Sequence, residues 1–131
     1  MTATITKVEV FSVAMPLVGS FTSGGMSKST TKCVVIRITD SDGAIGISSI
    51  DPSTRATSPN TAPELAAAMR DIVGPALIGQ DAGNANRIYE IASKLVPEQP
   101  GACVGMELAC IELTCRRLGI AVHDYVGGAV L

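Results

Sequence analysis

Residues 31–50 read TKCVVIRITDSDGAIGISSI, and this stretch decides the fold. Val34, Ile36 and Ile38 fall on one face of an extended chain, and Cys33, Val35 and Arg37 fall on the other. That period of two is the mark of a strand with one buried face. Asp40-Ser41-Asp42-Gly43 follows, where glycine supplies the positive φ that a tight turn needs. Ala44 to Ile50 then returns as a second strand, so the stretch predicts an antiparallel hairpin.

Working outward, Thr4 to Met15 is rich in β-branched residues and predicts an earlier strand, ended by Pro16. Leu17 to Ser29 holds Gly19, Gly24, Gly25 and four serines, with Phe21 and Met26 embedded, and predicts a mobile loop. Asp51 to Asn60 predicts a second polar loop, with Pro52, Pro59 and the charges of Asp51 and Arg55. Three helices are expected beyond it. Thr61-Ala62-Pro63-Glu64 has capping-box spacing, and Leu65, Met69, Ile72, Val73 and Ala76 give a helical apolar face. Gly74-Pro75 should break or kink this helix. Asn84 caps a shorter helix with Ile88, Ile91, Ala92 and Leu95 inward and Pro97 past its end. The last helix starts near Gly101 or Ala102 and stops at Gly119. It carries one stripe of Val104, Leu108, Ile111, Cys115 and Leu118 and a second of Cys103, Met106, Cys110 and Leu113, which predicts burial on two sides. The reading is an α+β domain, a three-stranded antiparallel meander sheet followed by three helices.

Composition narrows the function classes. The 131 residues suit a single domain. Apolar residues reach 47%, but aromatics only 3% with no Trp, so the core must be built from Val, Ile, Leu, Ala and Met. A net charge of -2 with no basic stripe gives no footprint for nucleic acid. No apolar run approaches the roughly 18 residues that span a bilayer. The N-terminus, with Lys7 and Glu9 in an alternating pattern, is not a signal peptide. Cys33, Cys103, Cys110 and Cys115 lie in apolar patterns without a C-x-x-C pair, which predicts packed, reduced thiols and a cytoplasmic protein.

Chemistry-bearing motifs are sparse. His123 beside Asp124 has no nucleophile placed with it, so no catalytic residue is expected. Gly19 to Gly25 fits neither phosphate-loop pattern. Glu107, Glu112 and Asp124 make no metal cluster, and Glu112 with Arg116 reads as an i,i+4 helix pair. No metal or cofactor site is expected in the chain. Lys28 and Arg55, one on each loop, either neutralise a substrate carboxylate or are merely solvated. Phe21 and Met26 either line a pocket or tuck onto the sheet.

Four segments together resemble a known family. They are Lys7-Val8-Glu9-Val10-Phe11 with Met15-Pro16-Leu17, Val34 to Thr39 with Asp42-Gly43 and Gly46, Leu77-Ile78-Gly79-Gln80-Asp81, and Ala109 to Glu112 with Arg116 to Val122 and Tyr125 to Gly128. In order and spacing they resemble the N-terminal capping domain of the mandelate racemase/muconate lactonizing enzymes, a branch of the enolase superfamily. The chain departs from the family pattern at Ile47-Ser48-Ser49, Ile111-Glu112, Cys115 and Ala121. The resemblance implies that residues 1–131 are one capping domain lacking the C-terminal (β/α) barrel that holds Mg²⁺ and the catalytic bases. It also implies that Leu17–Ser29 and Asp51–Asn60 close over a small carboxylate substrate, with Phe21, Thr22, Ser23, Met26 and Arg55 facing it. On this reading the chain alone is inactive, its partner is its own barrel, and its exposed apolar helix face makes it a homo-oligomer. The alternative is a stand-alone small-ligand-binding or protein-interaction domain with the same fold.

Overall fold

Val34, Ile36 and Ile38 are fully buried, as their alternation requires, and they form the central row of the core. The computed structural model describes residues 2–130, apart from the side chains of Ser23 and Met26. Three antiparallel strands lie in the order β1 (Ile5–Ser23), β2 (Met26–Asp40) and β3 (Ile45–Ile50). Val8 pairs with Ile38 across β1–β2, and Ile38 pairs with Gly46 across β2–β3. A helical layer covers one face: α1 (Ala62–Ala67), a π-helical segment (Ala68–Val73), α2 (Gly74–Leu77), α3 (Ala85–Leu95) and α4 (Pro100–Leu118), with a one-turn α5 (Val122–Tyr125) after it. The meander and the helical layer are those read from the sequence. The core is aliphatic, and Phe11, Phe21, Tyr89 and Tyr125 all stay partly in solvent. No helix among the described residues is long and apolar enough to cross a membrane.

The helix α4 lies directly on β3. A Cβ on Gly46 would collide with the Ala109 carbonyl oxygen and approach the Leu113 backbone N and Cβ to 2.6 Å. Gly105 also faces the sheet, where a Cβ would press on the Ile50 and Ile36 side chains at 3.0 and 3.1 Å. Polar bonds flank this contact. Ser48 Oγ donates to the Gly105 carbonyl at 2.6 Å, and the Ile47 N–H, on the free edge of β3, donates to the Glu112 carboxylate. Arg116 pairs with the other Glu112 oxygen at 2.7 Å, the helix pair expected from spacing. At the far end Asp40, only 3% exposed, closes the β2–β3 turn. Its Oδ1 accepts from the Asp42 and Ala44 N–H groups, both at 2.9 Å, and its Oδ2 accepts from Arg117 at 2.6 Å.

Several expectations need correction. The first strand does not end at Pro16, and Leu17–Ser29 is not a loop. Both strands run on to a turn at Gly24-Gly25, whose φ values of 57° and 78° are those a two-residue hairpin turn demands. Pro16 is tolerated because β1 is an edge strand, and a bulge between Pro16 and Phe21 absorbs the extra residues of β1. Thr61 does occupy the N-cap of α1, but its side chain makes no capping bond. Gly74-Pro75 does not break the helix. The missing Pro75 N–H is accommodated behind a segment in which Gly74 N–H bonds to Met69 O, an i→i+5 step. That wider turn rotates the buried face, so Val73 and Leu77 point inward and Ile72 is exposed. Leu95 is exposed as well, because α3 ends there and Val96 turns into the core instead. Asn84 caps α3 by accepting from the Arg87 N–H, and Gly119, at φ 70°, ends α4 as expected. The described residues bury only one side of α4: Val104, Leu108 and Leu118 are exposed.

All four cysteines are unpaired, and three are buried. Burial pushes the Cys110 thiol up to about 12, with Asp81 and Glu107 adding to the effect, and burial raises Cys103 too. Both therefore pack as protonated, small apolar groups.

Two predictions follow from these contacts. Gly46→Ala should cost about 3 kcal/mol or more, because backbone rather than a pliable side chain must yield; urea unfolding measures it, and a loss under about 1 kcal/mol contradicts the contact. Burial drives the Asp40 pKa upward, but the bonds from Arg117, Ala44 and Asp42 outweigh it and hold the carboxyl below its ordinary value. Its stabilisation is therefore full above the unfolded-state pKa and is lost as pH falls through the lower folded-state value. Asp40→Ala should remove about 2 kcal/mol at neutral pH and flatten the acid side of the stability–pH curve.

Candidate functional site

The sheet is longer than the helical layer that covers it. Even-numbered residues of β2 face the helices, and the row Val34, Ile36, Ile38 is buried beneath them. Period two carries the same face outward to Lys32, Thr30 and Lys28. There the apolar row gives way to Lys-Thr-Lys, beside the start of α1. Because Ile50 at the end of β3 pairs with Val34, residues 51–60 leave the sheet alongside this polar row. An open cleft lies between the β1–β2 overhang and that segment.

The cleft has two connected parts. The outer part, about 360 Å³, is lined by Phe21, Ser27, Lys28 and residues 51–55. The inner part, about 500 Å³, is lined by Lys28, Thr30, Lys32, residues 51–54 and the start of α1 around Glu64. The Lys28 ammonium lies 6.0 Å from the centre of the Phe21 ring, so the aromatic face and the charge act on the same space.

The wall formed by residues 51–60 is irregular, as expected, but it is tied down. Ser53 N–H donates to Asn60 O at 2.8 Å, and Ser58 N–H donates to Arg55 O at 3.0 Å. The buried Gln99 reaches from the start of α4 and donates to Pro59 O at 2.8 Å. Asn60 donates to Glu98 O at 3.1 Å. These bonds fix the segment that presents Arg55.

Phe21 and Arg55, read from the sequence as separate loop residues, share the outer part of the cleft. Thr22 is at the hairpin tip, where its hydroxyl donates to Ser27 Oγ at 3.3 Å, apart from the residues lining the cleft. Ser23 and Met26 pair through their backbones across the turn, and their side chains lie outside the described residues. The sequence reading missed Thr30 and Lys32. Extending the alternation of Val34–Ile38 backwards by two steps finds both. His123 is exposed, its Nε2 3.5 Å from the equally exposed Asp124 carboxylate. Among the described residues no three His, Cys, Asp or Glu side chains come together as metal ligands. Mg²⁺ needs several convergent oxygen ligands, so the described residues do not fit that ion. The cleft can bind and screen an anion through its ammonium and guanidinium groups.

Residues 2–127 match the sequence model of the mandelate racemase/muconate lactonizing enzyme N-terminal domain. The chain is 22% identical to the N-succinyl-L-Arg/Lys racemase of Bacillus cereus over 124 residues, 95% of this chain and 33% of the racemase. Its fold superposes on a muconate lactonizing enzyme of Pseudomonas fluorescens, crystallised with muconolactone, with a TM-score of 0.90 at 24% identity, covering 100% of this chain and 36% of that one. The muconate lactonizing enzyme of Pseudomonas putida gives a TM-score of 0.83 at 27% identity over 98% of this chain and 33% of that one. The chain thus spans about a third of the length of the relatives it matches.

Proposed function

The chain belongs to the mandelate racemase/muconate lactonizing enzyme family, as its N-terminal domain, and from that premise we propose that it caps the active site of a barrel enzyme acting on a small carboxylic acid. In this reading the β1–β2 overhang and residues 51–60 close over the substrate, exclude water and set specificity. The barrel supplies the acid–base groups and the Mg²⁺ ligands for proton abstraction next to the carboxylate, leading to racemisation, epimerisation, cycloisomerisation or dehydration. The observation that carries the reading is the cleft itself, with Phe21, Lys28 and Arg55 on facing walls. Its outer part combines an apolar surface with two cations, which suits an acid with an apolar portion.

The exposed side of α4 fits the same proposal. Val104, Leu108 and Leu118 are exposed on α4, and Ile120, Val122 and Tyr125 are exposed just after it. A surface of this kind marks an interface. The barrel covers it in the enzyme, and in the isolated chain a second copy does. Reduced, packed thiols suit a cytoplasmic enzyme.

Two measurements test this function. The isolated chain should catalyse no α-proton exchange in D₂O with Mg²⁺ present, whereas in an enzyme where a barrel follows it Arg55→Ala should raise KM for the acid about tenfold or more, the loss of one charge-assisted bond. Exchange by the isolated chain, or an unchanged KM, refutes the assignment. Static light scattering of the isolated chain at about 50 μM, a concentration that reveals weak association, should give at least a dimer mass; a clean monomer rejects the interface on α4.

A further inference from the structure

β1 is an edge strand, and the backbone groups on its free side can be followed one by one. Asp40 N–H donates to Ala44 O at 3.0 Å, so Asp40 turns its backbone toward β3, and by alternation Val34, Ile36 and Ile38 do the same. The odd residues of β2 then bond to β1, where Lys7, Glu9, Phe11 and Val13 face them. The register is unbroken from Lys7 to Pro16. Val10, Ser12, Ala14 and Pro16 therefore point their backbone groups away from the sheet.

This edge is closed on both sides of its middle. Ile5 N–H donates to Gln80 O and Gly79 N–H donates to Ile5 O, both at 2.8 Å. The Val10 carbonyl accepts from Arg70 at 3.4 Å, and Pro16 has no N–H. On the opposite edge of the sheet Glu112 takes the Ile47 N–H. Between Val10 and Pro16, the N–H and C=O groups of Ser12 and Ala14 have no partner among the described residues. Open strand backbone of this kind is a template for another strand.

We infer that this stretch pairs with the same stretch of a second copy, antiparallel about a two-fold axis at Val13. In that register Ser12 of each copy faces Ala14 of the other, and the two pairs exchange four N–H···O bonds. Val10 faces Pro16, so the carbonyl already held by Arg70 meets the residue that has no N–H. Other registers lose this match. Shifted one way, Ala14 N–H meets the occupied Val10 carbonyl. Shifted the other, Ser12 C=O meets Pro16 and finds no donor. The side chains select the same register. On the face away from the helices Val13 meets itself and Phe11 meets Met15, a sulfur–aromatic contact between side chains 40% and 45% exposed in the single chain. On the other face Ser12 and Ala14 are small. The product is a continuous six-stranded sheet, and it rests on the sheet alone, whether or not the chain caps a barrel.

Amide hydrogen exchange of the ¹⁵N-labelled chain tests the pairing. The Ser12 and Ala14 amides should gain at least about tenfold protection between about 20 μM and about 1 mM, while Val13, bonded to β2, is protected throughout. Cys33 lies opposite Val13 on β2, so cross-linking is read in a Cys33→Ser background. There Val13→Cys should form a disulfide-linked dimer on mild oxidation, because facing residues of a non-hydrogen-bonded pair have Cα atoms about 4.5 Å apart, within the reach of a disulfide. Phe11→Cys, at a more exposed position that faces Met15, should cross-link at least about tenfold more slowly. Ser12 and Ala14 amides that exchange fast at both concentrations, or slowly at both, overturn the inference, as does equal cross-linking at positions 11 and 13.

Discussion

The structure depends on the place where a helix backbone rests on a strand backbone without a side chain between them. Gly46 on β3 lets the Ala109–Leu113 turn of α4 come into direct contact, and one turn or so earlier on the helix Gly105 makes room for the Ile36 and Ile50 side chains. At that separation the polar groups of the two elements come within bonding range. Ser48 reaches the Gly105 carbonyl, Glu112 satisfies an N–H on the free edge of β3, and Arg117 reaches Asp40 in the β2–β3 turn. A larger residue at 46 would lift the helix and break all three together. The stability of the helical layer and the sealing of a sheet edge therefore share one cause.

A second constraint shapes the site. The sheet is built around a hairpin far longer than the helices beneath it. Where the helical layer buries β2, its inward row is Val34, Ile36 and Ile38; toward the hairpin tip the same row becomes Lys32, Thr30 and Lys28. The candidate surface is thus the core face of the sheet continued toward the hairpin tip. Residues 51–60 form the opposite wall because β3 stops at Ile50, level with Val34. Gln99 braces that wall from the first turn of α4, so the helix that anchors the sheet also holds the site.

Much of this was legible in the chain. The alternation of Val34–Ile38 and the turn at Asp40–Gly43 specify the hairpin, and Asn84 and Gly119 mark helix ends by local chemistry. The hairpin tip was not legible. Gly and Ser content in residues 17–29 mimics a loop, while pairing with a partner strand, a long-range event, converts it into strand. The rotated face of the first helix was hidden for a similar reason. Composition predicts a break at Gly74-Pro75, but packing keeps Gly74 against Val8 of β1, and a π-helical step absorbs the proline.

The candidate site divides along the same line. Sequence alone determined that the chain is a meander sheet under helices with an aliphatic core, because periodicity and turn residues act locally and each is written within a few residues. It also singled out Phe21, Lys28 and Arg55 as residues in search of a role. Only the tertiary structure decided that Phe21, Lys28 and Arg55 border one cleft and that Thr30 and Lys32 extend it. Their proximity arises from strand register and from the length of sheet left uncovered, and both are set by contacts between residues far apart in the chain.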